Sequence, residues 1–162
     1  FAGHCRVAMS DGSRKSLREL VSGDCVKTPQ GSCLVRCMMK SLCENARTSL
    51  VSIGGLEVTP WHPIRITDGW VFPMRVGKAV NKECVAVWSF LLEPGHTSLF
   101  IEDIECIALA HGIEDGIAAH PFYGTGRVIE AMQTLDNFDN GQVTVRGVVR
   151  HSENRLVCGL TQ

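Results

Sequence analysis

The sequence has no long apolar run, no excess of one charge and no cluster of basic residues. None of its apolar segments approaches the roughly 18 residues that a membrane-spanning helix needs, and its first residues lack the order of a signal peptide. Lys and Arg together number 16 and Asp and Glu 17, which gives no electrostatic reason to bind nucleic acid or an anionic membrane. We therefore expect a folded protein that uses neither as a partner.

Several motifs of well-defined chemistry are also missing. The chain contains no Gly-x-Ser-x-Gly, no His-Glu-x-x-His, no Gly-rich phosphate loop and no Cys-x-x-Cys. We predict no cofactor and no metal. One weaker alternative is a structural zinc module built from Cys33, Cys37 and Cys43, although their spacing is wider than that of the usual paired ligands.

Cysteine is the unusual residue that is present, with eight copies in 162 residues. An even number is compatible with disulfides, but a chain of this length with 44% hydrophobic residues can build a core without them. Most of these cysteines stand beside Val, Leu or Met, where a free thiol behaves as a small buried hydrophobe. We interpret them as reduced core residues.

Short runs rich in Val, Ile, Leu and Thr recur every 8 to 12 residues or so, separated by turn sequences such as Ser10–Ser13 and Asp139–Gly141. This rhythm predicts an all-β domain of short, mostly antiparallel strands. Helical patterns are scarce: Ser16–Leu20 fits one turn, and Gly124–Leu135 has apolar residues at helical spacing. The fold class is therefore all-β with one short helix near the C-terminus.

No linker or internal repeat divides the chain, and its length suits one domain. We predict a single domain over residues 1–162, with a core over 1–119 and a C-terminal extension of helix and strands over 120–162. The soft boundary is the segment His120–Thr125.

The stretch EVTPWHPIRI, Glu57 to Ile66, contains the first candidate site. Thr59 and His62 are three residues apart, so on a straight strand their side chains would point to opposite faces. Pro60 and Pro63 disfavour regular strand pairing, and a kinked strand end would let the two side chains converge. A His beside a hydroxyl suits acid–base chemistry near neutral pH. On spacing alone, a solvated His at a strand edge is the alternative.

Two further candidates lie in the segment IECIALAHG. His111 ends the apolar run just before a Gly, and Cys106 lies five residues earlier. A Cys, two His and a Thr are the ingredients of thiol acyl chemistry, although no fixed spacing links them.

The order of the segments resembles that of Hint domains, the autoprocessing fold of Hedgehog proteins and inteins. The opening FAGHCRVAMSDGSRKSLRELVSGDCVKT is similar to the first Hint block. GGLEVTPWHPIRITDGWVFP is similar to the second, with its Thr-x-x-His, and VWSFLLEPGHTSLFIEDIECIALAHG to the late block. The tail AHPFYGTGRVIEAM and the later GQVTVRGVVRHSENRLVCGL are most similar to the Vint type, which is found joined to von Willebrand A domains.

This resemblance implies single-turnover self-processing. In Hint domains the first Cys attacks the preceding carbonyl, which converts a peptide bond into a thioester by an N-to-S acyl shift. Thr59 and His62 would grip the scissile amide, with His62 protonating the departing nitrogen, and His111 and Cys106 would assist the second step. The implied partner is the chain's own N-terminal flank, such as a von Willebrand A domain. Water or a small nucleophile would accept the acyl group, and we expect a monomer.

The sequence departs from the family pattern in several places. The nucleophilic Cys is expected immediately before Phe1, so the chain as given should be inactive. Cys5 matches a family position usually held by Thr. No Asp corresponds to the one that Hedgehog-type domains use, which argues against sterol transfer. The late block offers His111-Gly112 where inteins have His-Asn, so we expect N-terminal cleavage or transfer rather than full splicing.

A second hypothesis assigns the chain to a different class of protein. In this hypothesis the chain is a non-catalytic β-module that keeps the Hint scaffold and binds a protein partner through an exposed patch of Trp61, Trp70 and Phe72.

Overall fold

A computed structural model describes all 162 residues. The chain folds into fifteen short strands. In chain order they are β1 (Arg6–Ala8), β2 (Arg14–Ser16), β3 (Cys25–Thr28), β4 (Gly31–Leu42), β5 (Arg47–Ile53), β6 (Leu56–Val58), β7 (Ile64–Ile66), β8 (Gly69–Val71), β9 (Ala79–Glu83), β10 (Ala86–Leu92), β11 (Ser98–Ile101), β12 (Ile104–Ile107), β13 (Gln142–Val145), β14 (Gly147–Arg150) and β15 (Val157–Thr161).

Helices are few and short. They are α1 (Pro73–Val76) and α2 (Gly126–Gln133), with single 3-10 turns at Leu17–Glu19, Glu44–Ala46 and Phe138–Asn140. None of them has the length and apolar character needed to cross a membrane.

The all-β prediction is confirmed, and so is the short helix near the C-terminus. That helix begins at Gly126, where the Thr125 hydroxyl accepts a hydrogen bond from the N–H of Arg127 and so caps it. The turn expected within Ser16–Leu20 is the 3-10 turn at Leu17–Glu19. Helix α1 was not predicted, because its single turn is too short to show a helical period.

The strands form three sheets and a separate hairpin. The largest sheet has the order β2-β1-β11-β12-β7-β8, a second contains β10-β4-β13 with β3 also paired to β4, and a third has the order β6-β5-β9. The hairpin is β14-β15. Pairing is antiparallel except between β13 and β4, which run parallel. The extension after residue 120 thus contributes β13 to the sheet of β4 and β10.

The sheet of β4 and β10 separates two hydrophobic cores. The N-terminal core has 21 buried residues and includes Phe1, Met38 and Phe90. The C-terminal core has 11 and includes Met39 and Leu91. Adjacent strand residues point to opposite faces, so Met38 and Met39 enter different cores, as do Phe90 and Leu91. The division into a 1–119 core and a 120–162 extension stays a prediction.

Candidate functional site

The first residue of the chain lies inside the N-terminal core. Phe1 is only 1% exposed. Its amine donates a hydrogen bond to the carbonyl of Trp88 at 3.0 Å, and the Trp88 N–H donates to the Phe1 carbonyl at 2.8 Å. The Phe1 ring lies 4.2 Å from the His62 ring and 5.9 Å from that of Phe90, measured between centroids. The chain start is therefore fixed against β10 and directly beside the predicted His.

A turn brings His62 to this position. The His62 N–H donates to the Thr59 carbonyl at 3.3 Å, so the chain reverses over Thr59–His62 with Pro60 at its second position. Proline suits this position because its φ is already fixed near the required value. The turn supplies the bend that the sequence required between the two candidate residues. Thr59 is partly buried, as is His62.

The His62 ring has a defined tautomer. Its Nε2 lies 3.1 Å from the carbonyl oxygen of Ile107, which can only accept, so Nε2 carries the proton and Nδ1 is left as an acceptor. Burial, and to a smaller extent the positive charge of the Phe1 amine, lower the pKa of His62 to about 3. The imidazole is therefore neutral at physiological pH.

Two thiols lie in the same core. Cys5 is fully buried, and its sulfur accepts a hydrogen bond from the Glu57 N–H at 3.3 Å. Cys106 is also fully buried and donates to the Ile104 carbonyl at 3.4 Å. Burial raises the pKa of both thiols, while the Phe1 amine lowers it to a smaller extent. Cys106 is therefore a protonated thiol near the chain start, and its assisting role stays a prediction.

His111 occupies a different environment from His62. It is 8% exposed, and its Nδ1 accepts a hydrogen bond from the Ile113 N–H at 3.0 Å. Its ring lies over Gly124, where a Cβ would come within 2.9 Å of His111 Cε1, so only glycine fits there without displacement. Burial lowers the pKa of His111, and His120 adds to this. The ring contacts the C-terminal extension, and its role in catalysis stays a prediction.

The structure does not gather the proposed zinc ligands. No group of three or more His, Cys, Asp or Glu side chains in the chain is placed to hold a metal ion. Cys33 and Cys37 are buried, and all eight cysteines are free thiols.

The aromatic residues of the second hypothesis differ in exposure. Trp61 is 61% exposed, and its ring meets that of Phe72 edge-on at 5.4 Å. Trp70 is partly buried, with the Arg65 guanidinium 5.8 Å from its ring.

Sequence reasoning missed the groups that hold His62 and Phe1 in place. These are the backbone carbonyls of Ile107 and Trp88. Every residue has such a carbonyl, so no side-chain pattern reveals which one will be used. The only signal for Phe1 itself is an aromatic residue at the start of the chain.

The geometry and the comparisons with known proteins agree on the class of protein. The solution structure of a bacterial intein-like domain from Clostridium thermocellum is similar to this chain, with a TM-score of 0.54 at 14% sequence identity. The similarity covers 66% of this chain and 96% of that one, which shows the shared fold. The all-β fold predicted from the sequence is thus the fold of that intein-like domain.

The family is more specific than the fold. The profile of the Vint family, described as a Hint domain, matches residues 1–159. The chain belongs to the Vint family of Hint domains, which places it among autoprocessing domains in general. Among curated proteins no match is found.

Proposed function

We propose that this domain cleaves the peptide bond on the N-terminal side of a Cys that immediately precedes Phe1, through an N-to-S acyl shift. The observation that carries the proposal is the pairing of the chain start with β10, which holds the Phe1 ring against His62. The upstream flank, such as a von Willebrand A domain, is the substrate, and water or a small thiol is the acceptor.

This pairing also limits how far an upstream chain could follow β10. One edge of β10 is covered by β4, so Ala2 and Phe1 lie along the other edge, opposite Val87 and Trp88. A preceding residue would lie opposite Ser89. The position after that, opposite Phe90, is occupied, because the Leu109 N–H donates to the Phe90 carbonyl at 2.9 Å. An upstream chain must therefore leave the sheet at the residue before Phe1.

A forced exit at this point favours the chemistry. The conversion of an amide to a thioester is uphill unless the amide is distorted or its nitrogen is protonated. A chain that turns away between Phe1 and Leu109 bends at the scissile peptide. The Phe1 ring, in contact with His62, keeps that peptide beside the imidazole.

His62 supplies the proton transfer. As the Cys sulfur bonds to the preceding carbonyl carbon, Nδ1 of the neutral ring takes the thiol proton, and the imidazolium passes it to the amide nitrogen as the C–N bond breaks. Burial, the larger cause of the lowered pKa of His62, also acts when a Cys precedes Phe1 and makes the imidazolium a stronger acid than an exposed one, as protonation of an amide nitrogen requires. Water then adds to the thioester, which releases a carboxylic acid and regenerates the thiol.

The test is a fusion in which a folded partner is joined through a Cys to Phe1. We expect cleavage at that Cys, accelerated by dithiothreitol or hydroxylamine, because both attack thioesters. Mass spectrometry of the released partner identifies the bond. The matched control has Ser in place of the added Cys, and an intact Cys fusion under all thiol conditions would contradict the proposal.

A second candidate function rests on the exposure of Trp61. A tryptophan that is 61% exposed and meets the Phe72 ring edge-on suits an anchor for an apolar segment of a protein partner. This function would be favoured over autoprocessing if the Cys fusion stays uncleaved and binds such an apolar segment, and if Trp61→Ala abolishes that binding.

A further inference from the structure

The junction between β4 and β10 brings two cysteines together. β4 ends at Leu42 and is followed by Cys43, and Cys84 stands two residues before β10. The chain between them passes through Asn45 and Ala46, which have φ angles of 51° and 52°. Asn tolerates this left-handed conformation, but Ala does so at a cost, so the surrounding contacts must hold the turn in place.

Backbone hydrogen bonds bring together the two segments that carry these cysteines. The Cys43 N–H donates to the Val85 carbonyl at 2.9 Å, and the Cys84 N–H donates to the Ala46 carbonyl at 2.8 Å. The thiols are neighbours: the pKa of Cys43 is raised to about 11, chiefly by burial and to a smaller extent by the nearby Cys84 thiol. Both side chains remain partly accessible.

No other pair of cysteines combines accessibility with this placement. Cys5, Cys33, Cys37 and Cys106 are buried. Cys25 is partly accessible and shares a hairpin with Cys33, but it pairs with Leu34, whereas Cys33 pairs with Val26. Cys33 is buried, so this pair lacks the accessibility of Cys43 and Cys84. Cys158 is partly accessible and lies in the β14–β15 hairpin, which contains no second cysteine.

We propose that Cys43 and Cys84 form an oxidation site that closes to an intrachain disulfide. With oxidised glutathione as the oxidant, the Cys84 thiolate attacks one glutathione sulfur, a mixed disulfide forms, and the first reduced glutathione leaves. Cys43 then attacks the Cys84 sulfur, the protein disulfide forms, and the second reduced glutathione leaves. The two thiols lose two electrons and two protons, which the two glutathione molecules take up.

The disulfide would tie the β4–β5 connection to the β9–β10 connection. β10 is the strand that fixes Phe1, so the bond would stiffen the support of the chain start. The proposal does not depend on autoprocessing, because it concerns thiols outside the reaction described above.

The test exposes the 162-residue chain to glutathione buffers of increasing oxidised fraction, followed by alkylation and peptide mapping. We expect the peptides of Cys43 and Cys84 to be recovered joined and lighter by two hydrogen atoms, with reversal by dithiothreitol. A loop of about 40 residues closed by a disulfide should raise the melting temperature by about 5 to 10 °C.

Matched variants separate this bond from other thiol chemistry. Cys84→Ser should abolish both the joined peptide and the thermal shift, whereas Cys158→Ser, which alters another partly accessible thiol, should keep both. Recovery of Cys43 and Cys84 separately alkylated, or each joined only to glutathione, at oxidant levels where the folded chain is otherwise intact would overturn the proposal. So would a disulfide between any other pair.

Discussion

The histidines on the two sides of the β4–β10 sheet differ in which ring nitrogen is hydrogen-bonded. In the N-terminal core, His62 lies against Phe1 and donates from Nε2 to the Ile107 carbonyl, so its Nδ1 remains available. Near the C-terminal core, His111 uses Nδ1 to accept from Ile113 and covers Gly124 with its ring. Both rings have lowered pKa values because of burial. Burial alone therefore does not mark a reactive histidine; the difference lies in which nitrogen is left free and what it faces.

The largest expected effect tests this difference between the two histidines. In the fusion with Cys before Phe1, His62→Ala should slow cleavage by about 100-fold to 10,000-fold, the range for loss of a general acid–base. His111→Ala should slow it by less than about 10-fold, because that ring contacts the extension. Gel-based cleavage kinetics give both rates, with exposed His151→Ala as the unaffected control. Equal losses of cleavage rate in His62→Ala and His111→Ala would contradict the proposed difference between the two histidines.

The second prediction compares one large buried side chain from each core. Phe1→Ala should lower the free energy of unfolding by about 3–5 kcal/mol and Met132→Ala by about 2–5 kcal/mol, since both leave cavities. Urea denaturation measures these losses. Only Phe1→Ala should also slow cleavage per folded molecule, because only Phe1 holds the scissile peptide beside His62. Slowing of the same size by Met132→Ala would show that the two cores are not separate in function.

The third prediction concerns pH. In the unfolded chain His62 takes up a proton as the pH falls through its ordinary value of 6.5, whereas in the folded chain it stays neutral down to about 3. The unfolded state thus binds more protons in this window, and stability falls as the pH decreases. Between about pH 7 and about pH 5 the loss due to His62 should be about 2 kcal/mol.

Urea denaturation of the wild type and of His62→Gln at both pH values isolates this contribution. The variant should lose about 2 kcal/mol less on acidification than the wild type, whereas His151→Gln should behave like the wild type. An unchanged pH dependence in His62→Gln would mean that the ring is solvated, as a strand-edge histidine would be.

The smallest expected effect concerns Trp61, which lies outside both cores. Trp61→Ala should change the free energy of unfolding by no more than about 0.5 kcal/mol, as is usual for exposed positions. Thermal or urea denaturation checks this value. A larger loss would show that the Trp61–Phe72 contact is part of the N-terminal core and would argue against a free binding surface.

Much of the fold was predictable because strand periodicity and turn chemistry are local. The alternation of buried and less buried residues along Ala86–Ser89 in β10 and the helix over Gly126–Gln133 both appear directly in the sequence. The parallel pairing of β13 with β4 did not, since it joins residues about 100 positions apart and has no local pattern.

The candidate site was predictable only in part. Thr59 and His62 could be predicted because their spacing and flanking prolines are sequence features. The Hint-like segments before and after them, in the family's order, indicated that the pair is catalytic. The separate environment of His111 depends on Gly124, and the approach of Cys43 to Cys84 depends on a left-handed turn at Ala46. Neither contact has a fixed sequence spacing, so no pattern could indicate it.

The sequence by itself determined the class of fold, the family and the identity of the candidate residues, because these follow from residue types in a fixed order. Only the tertiary structure decided what those residues can do. It set Phe1 against His62, directed Nε2 to the Ile107 carbonyl and paired the chain start with β10. The physical reason is that a proton or acyl transfer depends on distances of a few ångströms between groups far apart in the chain, and only packing sets those distances.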